Sequence, residues 1–181
     1  MIKQQAEDNL YQNESLKNFA ELISNINLLK NKNYGCPWQN IQTHETLIPY
    51  LIEESHEFID SIKNNDKENM KEELGDLLLQ IMLHSEITKE NNLFSIKDVI
   101  NSLNHKIKSR HPYIFKERKK VSIEEAEQIW KDMKIKNKSN HTKKGVLSNL
   151  QSEYLTPIEE AEQINFQIEK YGFKWNNKNE I

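Results

Sequence analysis

Apolar positions along the chain recur at three- and four-residue intervals, the spacing of helices packed along one side. Phe19, Leu22, Ile23, Ile26 and Leu29 form one such stripe and predict a helix over residues 15–30. Residues 1–14 are largely polar and are expected to form a flexible N-terminus. The stretch NKNYGCPWQNIQ holds Gly35 and Pro37 and reads as a loop. Thr43, with Thr46 downstream, opens a second helix, and Asn64-Asn65-Asp66 breaks it. A third helix fits residues 67–89, ended by Glu90-Asn91-Asn92. A fourth begins near Ser95 and stops before Arg110-His111-Pro112, because the residue before proline avoids helical geometry. A fifth fits residues 122–135, with Glu125 placed for a capping box. The polar run KNKSNHTKKG reads as a linker, and Pro157 starts a last short helix ending near Gly172. No internal repeat of solenoid length is apparent.

The pattern therefore predicts an all-α bundle of four to five helices. With 181 residues the chain can build one domain with its own core. Four Gly and four Pro argue against a turn-rich β fold. Only 36% of residues are hydrophobic and 29% are charged, a lean core that suits a bundle completed against a second subunit. A net charge of -3 supplies no basic field for nucleic acid, and the short KERKK run is a solvated loop. The single cysteine, Cys36, forms no intramolecular disulfide and fits a reducing compartment. There is no apolar signal region at the start and no segment of membrane-spanning length, so a cytoplasmic protein without membrane partners is expected.

Carboxylates occupy positions where the core should be. With each residue advancing about 100°, Leu47, Tyr50, Leu51, Glu57, Phe58 and Ser61 all lie within roughly 60° of Glu54. Glu53, His56, Asp60 and Lys63 fall on the opposite, wetter side. On the next helix Met70, Asp76, Leu77, Gln80, His84 and Ile87 cluster around Glu73 in the same way. Two antiparallel helices would then set Glu54-x-x-Glu57 opposite Glu73-x-x-Asp76. Unpaired, these acids would cost several kcal/mol per buried ion. Hard divalent cations, Mg²⁺ or Mn²⁺, resolve that conflict through oxygen ligands. A solvated charged face explains a lone ExxE, but two such pairs facing each other on apolar sides make it a poor account. A di-iron bundle site wants Glu-x-x-His pairs, and Glu53-x-x-His56 points to the wet side, so iron is disfavoured.

Cations and aromatics join the acids. Lys106 and Arg110 fall on the Val99, Leu103, Ile107 stripe, where they either meet a polyanion such as phosphate or snorkel at a helix end. Trp130 sits with Ile123, Ala126 and Met133, one turn before Lys134; it is either core or a stacking surface for a base, and Trp38 has the same two readings. Cys36 lacks a nucleophile's partners and reads as structural. His44 and His84 lack a second metal ligand at standard spacing and read as packing or supporting residues. Acids for metal, cations for phosphate and an aromatic for a base together describe a nucleotide site.

The segments GCPWQNIQTHETLIPYLIEESHEFIDSI, KEELGDLLLQIMLH and KIKSRHPYIF closely resemble the MazG family of nucleoside triphosphate pyrophosphohydrolases. The likeness runs from about Phe19 to Met133, and YGFKW near the end is similar to the segment that follows a MazG domain. It implies a MazG-like catalytic domain over 15–136, a linker and helical tail over 137–181, and a one-domain member of the family. It implies an all-α fold, dimeric or higher, hydrolysing NTPs or dNTPs to monophosphate and pyrophosphate with Mg²⁺, in nucleotide-pool house-cleaning. By motif, Glu54, Glu57, Glu73 and Asp76 would be metal ligands, Lys106 and Arg110 would contact phosphates, and Trp130 with Lys134 would line the nucleotide site. Glu53 and Glu72 match acidic positions, one of which would orient the attacking water, and Trp38 would contact the base. Two positions depart from the pattern: Gln39 stands where Asp is common, and His56 where an aromatic or small residue is frequent. The alternatives are a non-catalytic nucleotide-binding or dimerisation module and a narrow-specificity pyrophosphohydrolase.

Overall fold

The computed structural model describes residues 2–138 together with 161, 164 and 165. The chain divides into two compact units, Met1–Ile107 and Lys108–Ile181. Among the described residues all regular structure is helical: α1 (Ile2–Leu29), α2 (Pro37–Asn40), α3 (His44–Lys63), α4 (Lys67–Glu90), α5 (Ile96–Arg110), α6 (Pro112–Phe115) and α7 (Ile123–Lys138). The expected tail helix and the linker beyond Lys138 lie outside the described residues, apart from Ala161, Ile164 and Asn165, which are helical.

The first unit is organised around the α3–α4 hairpin, and local chemistry sets its ends. Thr43 and Thr46 form a reciprocal cap: the Thr46 N–H donates to Thr43 Oγ1 at 3.3 Å and the Thr43 N–H to Thr46 Oγ1 at 2.8 Å. This satisfies two donors that a helix start leaves unpaired, with Thr46 taking the place usually held by Glu or Gln. At the other end Asn65 adopts φ 53, and the N–H groups of Asn65 and Asp66 return to the carbonyls of Ile62 and Ser61 at 3.1 and 3.0 Å. Asn tolerates this left-handed conformation better than most residues. Asp66 then caps α4 by accepting from the Asn69 N–H at 3.1 Å. Three residues thus end one helix and start the next, which forces the antiparallel pairing. Asn92, with φ 56, ends α4 by the same device.

Two apolar clusters hold the unit together. Ile26, Met82 and Ile96 are buried, packed by Phe19, Leu22, Ile23, Leu78, Leu79, Val99 and Ile100. Leu47, Leu83 and Ile87 form the second, and Leu79 touches both. Full burial of Leu47 or Met82 contributes about 1.5–3 kcal/mol each.

Between α1 and α3 the chain is tied closely. The Cys36 N–H donates to the Leu29 carbonyl at 2.8 Å, and a Cβ at Gly35 would collide with the backbone carbonyls of Leu29 and Asn31. The buried Lys30 donates to the Gln39 carbonyl at 3.1 Å and pairs with Glu90 at 3.3 Å, joining the ends of α1, α2 and α4.

The structure departs from the expected elements in three places. Helix α1 starts at Ile2, not near Ser15. The expected loop contains α2, started by Pro37 at its first position, where the missing N–H costs nothing. The α5 stripe is only half used: Val99 and Ile100 reach the core, whereas Leu103 and Ile107 are 51% and 40% exposed. Among the described residues the core clusters reach α5 through its first two turns, at Ile96, Val99 and Ile100.

Candidate metal centre

Register within the α3–α4 hairpin decides which carboxylates meet. Oxygens of Glu54 and Glu57 from α3 and Glu73 from α4 all lie within 4.8 Å of one another. The three differ in setting: Glu57 is exposed, Glu54 half-buried and Glu73 buried, at 6% exposure. Among the described residues Glu73 Oε2 finds no hydrogen-bond partner. Asp76 lies outside this group of three, but it is half-buried and its charge acts on both Glu54 and Glu73.

The electrostatics follow from that crowding. Burial holds the Glu73 carboxyl above the ordinary glutamate value, helped by the charges of Glu57, Asp76 and Glu72 and partly offset by a hydrogen bond with Glu54. Glu54 is raised by burial first, then by Asp76, Glu57, Glu73 and Glu53. Like charges that cannot all ionise comfortably, with a buried oxygen left without a partner, are the setting a cation stabilises. An all-carboxylate donor set fits a hard divalent ion, not a soft one. The inward orientation expected from helical period holds most fully for Glu73.

The flanking residues occupy different surroundings. Glu53 and Glu72 are exposed beside the cluster, and Lys106 is exposed on α5. Trp38, 41% exposed on α2, meets Tyr50 edge-on, with ring centroids 5.4 Å apart at 85°. Tyr50 sits one turn before Glu54 on the same helix face, so the helical period alone carries it toward the acids. In the second unit Arg110 Cζ lies 4.9 Å and Lys134 Nζ 5.0 Å from the centre of the Trp130 ring. Trp130 is half-buried, so it is neither a fully enclosed core residue nor a bare platform: two cations hold its ring. The Ser122–Glu125 capping box that starts α7 is present, with bonds of 3.0 and 3.2 Å.

Two features were not legible as contacts. His44 Nδ1 and His84 Nδ1 are 2.7 Å apart, joining α3 to α4 across 40 residues. Gln39 and Gln80 are buried, and among the described residues neither Oε1 finds a hydrogen-bond partner. Cys36 is half-buried and unbridged at the start of α2, in keeping with a structural role.

Comparison with known proteins gives this geometry a family setting. Residues 42–115 match the family model described as MazG nucleotide pyrophosphohydrolase domain. A curated relative from Thermotoga maritima, named nucleoside triphosphate pyrophosphohydrolase/pyrophosphatase MazG, is 38% identical over 87% of this chain. The chain spans 59% of that relative's length. An Escherichia coli nucleoside triphosphate pyrophosphohydrolase is 27% identical over 85% of this chain and is covered over 58% of its own. Among solved structures, a mazG-related protein from Thermotoga maritima matches with TM-score 0.53 and 32% identity, covering 62% of this chain and 97% of that one.

Proposed function

The chain belongs to the MazG family, and from that premise we propose that it hydrolyses nucleoside triphosphates to monophosphate and pyrophosphate. The observation that carries this reading is the cluster of Glu54, Glu57 and Glu73 oxygens within 4.8 Å across the α3–α4 hairpin. These residues, with Asp76, would hold a divalent cation, Mg²⁺ by preference and Mn²⁺ as a substitute. Such an ion, when bound, neutralises phosphate charge and acidifies a nearby water.

The rest of the work falls to the protein's side chains. Water adds to one phosphorus of the α–β anhydride; the bridging oxygen leaves with the other phosphate group. Glu53 or Glu72, exposed beside the cluster, orients that water and accepts its proton. Lys106 and Arg110 offset charge on the phosphates, and Trp38 contacts the base. Arg110, Trp130 and Lys134 lie together in the second unit, and their part in nucleotide binding rests on the family motif. Catalysis on this reading is positioning and electrostatics, with no covalent intermediate.

The finer points are part of the same proposal. Clearing unwanted nucleotides is the cellular task. A homodimer or higher assembly would cover α4, where Leu74 and Ile81 are 50% and 46% exposed. Among the described residues no helix is long and apolar enough to cross a membrane.

The test is product analysis with Mg²⁺ and the common NTPs and dNTPs. Monophosphate plus pyrophosphate, lost on chelation, is the expected result. Diphosphate plus phosphate would refute the cleavage position, and no turnover with any of them would favour a binding module or a narrow substrate.

A further inference from the structure

The α3 helix has a weak point between its first turn and its metal-binding carboxylates. Pro49 stands inside it, and proline has no N–H, so the Glu45 carbonyl lacks its normal partner within the helix. The turn before Pro49 is the one to which the Trp38 segment is tied. Gln42 Nε2 donates to the Trp38 carbonyl at 2.9 Å, and Thr46 Oγ1 donates to Gln42 Oε1 at 2.7 Å. Thr46 also receives the Thr43 N–H, so Trp38, Gln42 and the helix cap form one hydrogen-bonded unit. His44 is the first helical residue of that unit, and its ring meets α4 beside the packing of Leu47 on Leu83 and Ile87: the imidazoles lie parallel, 5° between planes, with Nδ1 atoms 2.7 Å apart.

A contact of that length between two ring nitrogens requires one of them to carry a proton and the other a lone pair. Two imidazolium rings would place two N–H groups and two charges against each other. We propose that His44 and His84 are positioning residues that latch the first turn of α3, and with it the Trp38 segment, onto α4. One proton between the rings closes the latch, and protonation of both opens it. The latch's effect on catalysis rests on the proposed contact of Trp38 with the nucleotide base.

Charged groups flank the pair on both helices. Burial first, and then the His44 ring, push His84 below the ordinary histidine value. On α3 the neighbour is Glu45, at the helix start. On α4 Glu86 is paired with Lys89 at 2.9 Å, and Lys30, just beyond α1, is paired with Glu90 at 3.3 Å. Helix α2 carries no ionisable side chain. Glu45 interacts with the His44 charge and is itself bonded to Thr43, while Glu86 and Glu90 are each held by a lysine.

The experiment follows the Trp38 indole N–H signal by NMR, identified by its loss in W38F, from pH 7.5 to 5.5. Three proteins are compared: wild type, His84→Asn and His84→Phe. Asn places an amide where Nδ1 was and can bond His44 in either protonation state; Phe keeps the ring and removes the bond. The Trp38 signal should titrate in wild type, stay at its high-pH position in His84→Asn, and sit at its low-pH position throughout in His84→Phe. KM for nucleotide should rise about two- to tenfold at low pH relative to His84→Asn, the worth of one ordinary hydrogen bond, with kcat less affected. A Trp38 signal that ignores pH, or titrates equally in His84→Asn, overturns the latch; this comparison stands even if His84→Phe fails to fold. A signal that moves as expected while KM does not would instead overturn the Trp38–base contact and leave the latch in place.

Discussion

Replacing Glu73 with Gln should make the protein more stable without metal and less stable with it. The carboxyl is buried and crowded by Glu57, Asp76 and Glu72, which hold it above the ordinary glutamate value. A group whose folded-state pKa is raised contributes stability below its unfolded pKa and loses it as pH rises through the folded value. At pH 7.5, above the ordinary glutamate range, the Glu73 carboxyl therefore weighs against the fold, and Gln, which keeps the shape without an ionisable group, lifts that weight. In EDTA Glu73→Gln should melt above wild type, with the gap closing as pH falls toward the ordinary glutamate range. With Mg²⁺ at about a hundred times its Kd, wild type gains about 2.7 kcal/mol by mass action. For a chain of this size that is about 5–11 °C in Tm. Loss of a direct ligand should weaken binding at least about a hundredfold, the upper end of what removing a mere supporting partner costs. The variant then sits near its own Kd and gains about 0.4 kcal/mol, or about 1–2 °C. Scanning fluorimetry across a Mg²⁺ titration reads both effects, so the melting order of the two proteins should reverse. A variant that melts below wild type in EDTA, or keeps the full Mg²⁺ shift, would refute the reasoning.

Glu57→Gln and Asp76→Asn should each lower kcat by at least about a hundredfold, a transition-state charge effect, while circular dichroism stays unchanged. Near-normal turnover in both would sink the metal assignment. Leu47→Ala empties a fully buried site against Leu83 and Ile87, and should cost about 2–5 kcal/mol in urea unfolding; a loss under about 1 kcal/mol would contradict that packing. His84 is held below the ordinary histidine value, so the unfolded chain takes up its proton first. Its contribution to stability should be present above about pH 6.5 and lost as pH falls through the folded value, a decline in urea midpoint that His84→Asn should flatten.

Helix ends are legible in local chemistry. Thr43, Asn64-Asn65-Asp66 and Asn91-Asn92 mark helix ends because caps and left-handed turns are made by residues close in sequence. The helical period placed Glu54 and Glu73 on faces that would meet, because an advance of about 100° per residue needs no knowledge of the partner. The short helix α2 was missed because it depends on Gly35 fitting under two carbonyls and on Lys30 reaching Gln39.

An all-α chain, the α3–α4 hairpin and acids on its two facing helices were legible in the sequence, although only Glu73 of those acids is buried. Only the folded hairpin shows which acids come together: oxygens of Glu54, Glu57 and Glu73 lie within 4.8 Å of one another, and the Asp76 charge acts on Glu54 and Glu73. The tertiary structure alone joined His44 to His84, and it left Leu103 and Ile107 exposed where a stripe promised core. The physical reason is the same in each case. Periodicity states which way a side chain points, but hairpin register and the extent of the core determine what it meets there.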